Sequence, residues 1–401
     1  VIGPEPAGAS PCTVAVDPTL NRAHQHTAGT PAKGWQTGTE EDPGSPQTRQ
    51  ALGRYRAGPT TKVGVPTELS HAVRSAAPGR HGGVSRRHAG DVRKFEGITT
   101  RAPHTLGPHR PVDITRDFVN HSDLLAKAPS LAAGMAAADH SPDSQLSQTR
   151  HRAALVASWH IAPGSTVLEL GCGQGDMTAV LAEAVGPKGR VVAVDVAAPS
   201  YGEPVTLGES AARLAAGPLG PRIDFRFGTD VLDPSVDFPD STFDHVVLAH
   251  CSWYFASLGQ LRDTLARVRP WARRLWFTEW DLTPASDDQL AHLLAVLIQG
   301  QTEAAGSQGQ GNVRTPFSRE GLLRLLPESG WTADGSEPVD TEELQDGDWE
   351  IAACLDLVSE GRLAALPEPV RQLVLSQVDV LRALAKPRGN RALPAYSVTA
   401  R

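Results

Sequence analysis

Val167-Leu168-Glu169-Leu170-Gly171-Cys172-Gly173-Gln174-Gly175 is the stretch from which the architecture of this chain can be read. The apolar run at 166–170, bounded upstream by Pro163-Gly164, has the length and composition of a strand buried on both faces. The glycines after it allow a tight turn and let a ligand approach the backbone, and a helical pattern begins at once, at 177–185. Strand, glycine loop and helix in that order make a nucleotide-type pocket. Taken alone, the loop would suit a dinucleotide-binding dehydrogenase equally well.

Outward from the loop, helix and strand patterns alternate. Strands are expected at 190–195, 223–228, 245–249 and 274–278, with helices at 207–216 and 258–268 between them. This spacing is that of βαβ units, and it gives five strands in a doubly wound parallel sheet with helices on both faces. Upstream, Leu146, Leu155, Val156 and Trp159 can share one side of a helix that ends near residue 160. Downstream, helices are expected at 289–301, 319–326, 349–359 and 368–384, with strands at 331–339 and 395–400. In the insertion at 283–312, Leu290, Leu293, Leu294, Leu297 and Ile298 give a helix an apolar side before a Gly/Gln-rich stretch. It reads as a lid over an acceptor, or else as packing or a dimer contact.

Three carboxylates give the loop its chemistry. Glu169 sits just before the glycines, where it can receive an amino group but would repel a pyrophosphate. A methionine-bearing cofactor suits that position better than a dinucleotide does. Asp195 ends the second strand, where its two oxygens can accept both hydroxyls of a ribose. Asp230, after the third strand, is placed to accept from an adenine amino group or simply to cap a turn. Asp176 reads as the cap of the helix after the loop, and Cys172 as a small filler.

With these residues in register, the sequence resembles the class I S-adenosylmethionine-dependent methyltransferases from about residue 136 to the chain end. Residues 167–175 are similar to that family's first motif, Val194-Asp195 to its second, Gly228-Thr229-Asp230-Val231 to its third, and Phe243-Asp244-His245-Val246-Val247-Leu248 to its fourth. Tyr396-Ser397-Val398-Thr399-Ala400 resembles its antiparallel seventh strand. The resemblance implies an α/β, doubly wound, Rossmann-like, seven-stranded, mostly parallel sheet of order 3-2-1-4-5-7-6, with a helical lid insertion. It implies S-adenosylmethionine as cofactor, bound through Glu169, Gly171, Gly173, Gly175, Asp195, Val196, Asp230, Val231 and His250.

The acceptor side is sought after the fourth and fifth strands. His250 can take a proton near neutral pH, or can serve cofactor packing instead. Trp253, Tyr254 and Phe255 can line a flat pocket or belong to the core. Glu279 and Asp281 are acids at a strand end, with Glu279 the second catalytic candidate. No Asn/Asp-Pro-Pro-aromatic run follows the fourth strand, and neither the paired glutamates of arginine methyltransferases nor a magnesium-type acid cluster is found. A small molecule, aromatic or a secondary metabolite, is the acceptor class that remains. A nicotinamide-dependent oxidoreductase and a cofactor-binding regulator without turnover are the alternatives.

Charge and composition agree with a small-molecule site. The first 134 residues carry 16 Lys+Arg against 11 Asp+Glu, which leaves 22 against 34 for the rest of the chain. A net acidic body argues against nucleic acid as a partner. Cys12, Cys172, Cys251 and Cys354 lie far apart, so no metal site or disulfide framework is expected. No apolar run is long enough for a membrane span and no secretory signal precedes the domain, which gives a cytoplasmic expectation. The oligomeric state stays open, a homodimer included. Residues 1–134, rich in Pro, Gly, Ser, Thr and Arg, are expected to be largely disordered, with a short helix near 121–126, ahead of a methyltransferase domain at 135–401. Met135 is the first methionine, so the upstream part reads as a translated leader, an annotation extension or a tail.

Overall fold

A computed structural model describes residues 121–306, 313–359 and 361–401. The expectation of disorder for residues 1–120 lies outside the described residues. Seven strands form one sheet: β1 (Thr166–Leu170), β2 (Arg190–Val194), β3 (Ile223–Arg226), β4 (Phe243–Ala249), β5 (Ala272–Trp280), β6 (Ala333–Val339) and β7 (Ala395–Ala400). Their order is β3-β2-β1-β4-β5-β7-β6. Strands β1 to β5 pair in parallel, and β7 runs antiparallel to both β5 and β6. This is the expected sheet. Chain order reverses at β1, with β2 on one side and β4 on the other, and such a reversal opens a crevice at the carboxyl ends of the strands.

Alternation along each central strand divides the core between the two faces. Val167, Val191, Ala193, Val247 and Trp276 pack beneath α1 (His121–Gly134), α2 (Pro142–Ser158) and α3 (Asp176–Val185). Leu168, Leu170, Val192, Val194, Val246, Leu248, Leu275 and Phe277 pack beneath α5 (Leu258–Val268) and α7 (Arg319–Glu328). On β1, Glu169 therefore points to the same side as Val167, toward α2 and α3. Helix α4 (Leu207–Ala216) carries the Thr206–Glu209 capping box at its start.

A third apolar cluster joins α6 (Leu290–Ala304), α8 (Asp346–Ser359) and α9 (Glu368–Leu384) through Ala295, Ile298, Cys354, Val374 and Val378. The lid expected from α6 alone is thus a three-helix layer. Among the described residues, no helix is long and apolar enough to cross a membrane.

Two local expectations change. The packed unit begins before Met135, because α1 buries Leu124, Ala128 and Leu131 against α2 and α3, and Lys127 pairs with Glu183 of α3. Helix α2 buries Leu155, Val156 and Trp159 follows at its end, but Leu146 is only half-buried. The N-terminal half of α2 instead buries Gln145, Gln148, Thr149, His151 and Arg152, so one helix carries both an apolar and a polar buried face.

Candidate active site

The glycine loop folds back over the end of β2. Gly171 and Cys172 both donate their N–H groups to the carbonyl of Val194, at 2.9 and 3.1 Å, and Gly175 donates to Cys172 O at 2.9 Å. Gly171 has φ +71°, and a Cβ there would lie 2.8 Å from Cys251 Cβ, so only glycine lets the loop cross the β4 end. Gly175 has φ +89°, and its missing side chain makes room for Leu214 and Phe225, which gives it a packing role. Gly173 also has positive φ and donates its N–H to Asp195 Oδ2 at 2.9 Å.

Glu169 is buried, and its Oε2 accepts the hydroxyl of Thr178 at 2.6 Å. Burial pushes its pKa up to about 8, against the opposing pull of Thr178 and the nearby Arg152 guanidinium. Asp195 is also buried and its pKa is raised for the same reason, although N–H groups of Ala197 and Gly173 hold one oxygen each. Each of those oxygens keeps a second lone pair for a ligand. Val196, the next residue, is an exposed apolar side chain at 69% accessibility, whereas Val231 is buried. Asp230 is exposed, and its Oδ1 caps its own turn by accepting the Leu232 N–H at 2.9 Å.

Asp176 differs from expectation. Gly175 occupies the cap position of α3, and Asp176 is a buried first-turn residue whose Oδ1 accepts Gln145 Nε2 at 2.6 Å. Cys172 and Cys251 have thiols pushed well up by burial, so both remain protonated, in keeping with a filler role.

Past the ends of β4 and β5 lies a small cleft lined in part by His250, Trp253, Tyr254, Glu279, Trp280 and Arg152. His250 follows β4 with φ +52°, a strained conformation for a residue with a Cβ. Its N–H donates to Thr278 O at 2.9 Å, and its ring lies 4.7 Å from that of Trp280. Glu279 is buried at the end of β5. Its Oε2 accepts the N–H and the hydroxyl of Ser252 at 3.0 and 2.5 Å, and its Oε1 lies 3.7 Å from His250 Nδ1. Glu279 is therefore committed to holding the β4 loop as well as facing His250. Phe255 is half-buried and packs against the main core, and Asp281 accepts Thr283 N–H and pairs with Arg319.

The far wall of the cleft comes from α8, not from α6. Asp346 and Glu350 reach the cleft, tied to α2 by Gln148 Nε2 at 2.8 Å and to α6 by Gln299 Nε2 at 2.7 Å. Sequence reasoning missed Gln148, His151 and Arg152, whose i, i+3, i+4 spacing is the signal that could have found them. It also missed Tyr201, half-buried near Asp195, whose phenol is pushed up to about 12 by burial and by that carboxylate. Among the described residues, no group of three or more His, Cys, Asp or Glu gathers as a metal site.

Comparison with known proteins bears on the family and the fold. A family model described as a methyltransferase domain matches residues 167–274, and one described as protein-L-isoaspartate(D-aspartate) O-methyltransferase matches residues 130–201. Methyltransferase phomM' of Diaporthe leptostromiformis is 32% identical over 228 residues, covering 50% of this chain and 58% of the relative. Demethylmenaquinone methyltransferase of Symbiobacterium thermophilum is 33% identical over 113 residues, covering 28% of this chain and 40% of the relative. The chain thus spans little more than half of the first of these curated relatives. The solved structure of a cyclopropane-fatty-acyl-phospholipid synthase-like protein from Lactobacillus casei ATCC 334 is 32% identical with a TM-score of 0.62, covering 69% of this chain and 98% of that one. A sheet of order 3-2-1-4-5-7-6, a glycine loop between two buried carboxylates and these likenesses lead to one conclusion: the chain belongs to the class I S-adenosylmethionine-dependent methyltransferases.

Proposed function

We propose that this protein transfers a methyl group from S-adenosylmethionine to a small-molecule acceptor. The observation that carries the reading is the pair of buried carboxylates, Glu169 and Asp195, at neighbouring strand ends around the glycine loop. Their chemistry fits the donor: a carboxyl that a bound ammonium group draws into its anionic form, then a two-oxygen acceptor for a vicinal diol. The exposed Val196 offers an apolar contact to a base, while Val231 is buried in the main core. A free oxygen of Asp230 can accept an amino group beside them. When bound, S-adenosylmethionine supplies an electrophilic methyl group on a sulfonium.

The remaining work falls to the protein. Gly171 and Gly173 keep the loop backbone open to the ligand. Trp253, Tyr254 and Trp280 line the cleft in which an acceptor would be oriented, and positioning is a large part of any displacement between two bound molecules. His250 is the candidate base for an acceptor that loses a proton, and Glu279 stabilises the resulting charge. A relative named for demethylmenaquinone, and the acidic balance of this chain, favour a small acceptor over nucleic acid. Family membership favours this reading over a nicotinamide-dependent oxidoreductase, and turnover separates it from a regulator that only binds.

Calorimetry with S-adenosylhomocysteine and with NAD(P) tests the cofactor assignment: the first should bind and the second should not. Asp195→Ala should weaken S-adenosylhomocysteine by about 1.5 to 3 kcal/mol, the loss expected for hydrogen bonds to a charged group. Unchanged affinity would remove Asp195 from the cofactor site. Mass spectrometry of a metabolite panel incubated with labelled S-adenosylmethionine should reveal a methylated product, and its absence with cofactor bound would favour the regulator.

A further inference from the structure

The polar wall of the cleft holds a histidine pair. His250 and His151, from α2, meet through their Nε2 atoms at 2.9 Å. On its other side, His151 Nδ1 lies 3.1 Å from the carbonyl oxygen of Asp340. A carbonyl only accepts, so His151 Nδ1 carries a proton and donates it to Asp340. Burial pushes the His151 pKa well below its ordinary value, and His250 and Arg152 beside it act in the same direction. His151 is therefore neutral, with a bare Nε2. Two bare nitrogens cannot face each other at that distance, so the proton between the rings belongs to His250 Nε2. A neutral His250 then has its lone pair on Nδ1, which is buried, has no hydrogen-bond partner and lies 3.7 Å from Glu279 Oε1.

We propose that His151 is a positioning residue that holds His250 as the Nε2–H tautomer and so reserves His250 Nδ1 as the proton acceptor of the site. The inference rests on the methyl-transfer reading above. An acceptor O–H or N–H gives its proton to Nδ1 and keeps the bonding electron pair. His250 becomes an imidazolium that still donates to His151 and now faces the Glu279 carboxylate. The other charged groups around the pair are Arg152 on α2, which opposes that charge, and Asp346 and Glu350 on α8, which favour it. Tyr254 lines the same cleft. The strained backbone at His250 is consistent with a ring held for use, since a positive φ at such a residue persists only where its surroundings enforce it.

Nitrogen-15 NMR of the full chain without ligands reads the tautomer directly, with His250 assigned by comparison with His250→Asn. Where the ring is neutral, His250 should show a pyrrole-type Nε2 and a pyridine-type Nδ1, and the reverse pattern, or two pyrrole-type nitrogens across the whole accessible pH range, overturns the proposal. In His151→Phe the pattern should shift toward Nδ1–H, and His151→Gln, which still offers an acceptor, should restore it. With an acceptor in hand, His151→Phe should lower kcat by about 10²-fold, within the range of general base catalysis, with KM for S-adenosylmethionine unchanged. An equal loss in His151→Gln and His151→Phe would mean that packing alone is at work, and would sink the idea. The wild-type spectrum decides the tautomer even if a variant fails to fold. Failure to find any methylated product, with the tautomer as stated, counts against the methyl-transfer reading and not against the histidine geometry.

Discussion

Glu169 shows how one side chain can be costly to the fold and useful to the ligand. Its carboxyl keeps its proton to about pH 8 in the folded chain, whereas an exposed glutamate ionises near 4.5. The folded pKa is raised, so stability is fullest below the unfolded value and declines as pH rises toward about 8. Glu169→Gln, which keeps an oxygen for Thr178, should therefore unfold at a higher temperature than wild type at pH 8, with the gap closing near pH 5. The same variant should lose at least about tenfold in S-adenosylhomocysteine affinity, since a charge-assisted bond to the amino group is gone. Thermal melts at both pH values and calorimetry check both halves, and a lower melting temperature at pH 8 would show the carboxylate ionised and paired within the fold. Glu169 and Asp195 were legible in the sequence because strand ends next to glycines fix where a carboxylate points. His151 and Arg152 were not, since their positions acquire meaning only when α2 lies against the strand ends.

Among the elements, α1 is the one whose weight the sequence understated. Its composition, with Pro129 inside it and few large apolar residues, resembles the segment before it, yet Leu124, Ala128 and Leu131 are buried. Losing two buried leucines and Ala128 between them should cost about 5 kcal/mol or more. A chain started at Met135 should therefore melt well below the full chain in denaturant titration, and equal stability would show that α1 is dispensable. The apolar stripe of α6 was correctly read as helical, but stripe and lid are different claims. Of that stripe only Ile298 is fully buried, while Leu290 and Leu297 are exposed, and the face packed on α8 and α9 is made by Ala291, Ala295 and Ile298. α8 gave weaker signals from the sequence, because its contribution to the cleft is acidic, through Asp346 and Glu350, and acids are expected at the surface.

At the scale of the whole molecule, five strands of a doubly wound sheet were legible from the β1 motif and the spacing of the central strands, because buried parallel strands advertise themselves as unbroken apolar runs, while the full seven-strand order came from the family resemblance. The outer strands do not. β6 is Ala-Asp-Gly-Ser-Glu-Pro-Val, five of its seven residues exposed, and it is a strand because β7 pairs with it and not because its residues favour one. That weak strand has a consequence for how copies of the protein can meet. An open sheet margin is a template on which a stray chain can add itself, the first step toward fibrils. Here the margin carries Asp334, Glu337 and a proline with no N–H to give, together with a register irregularity between Ala333 and Gly335. The β6 margin is thus guarded against continuing from one copy into the next.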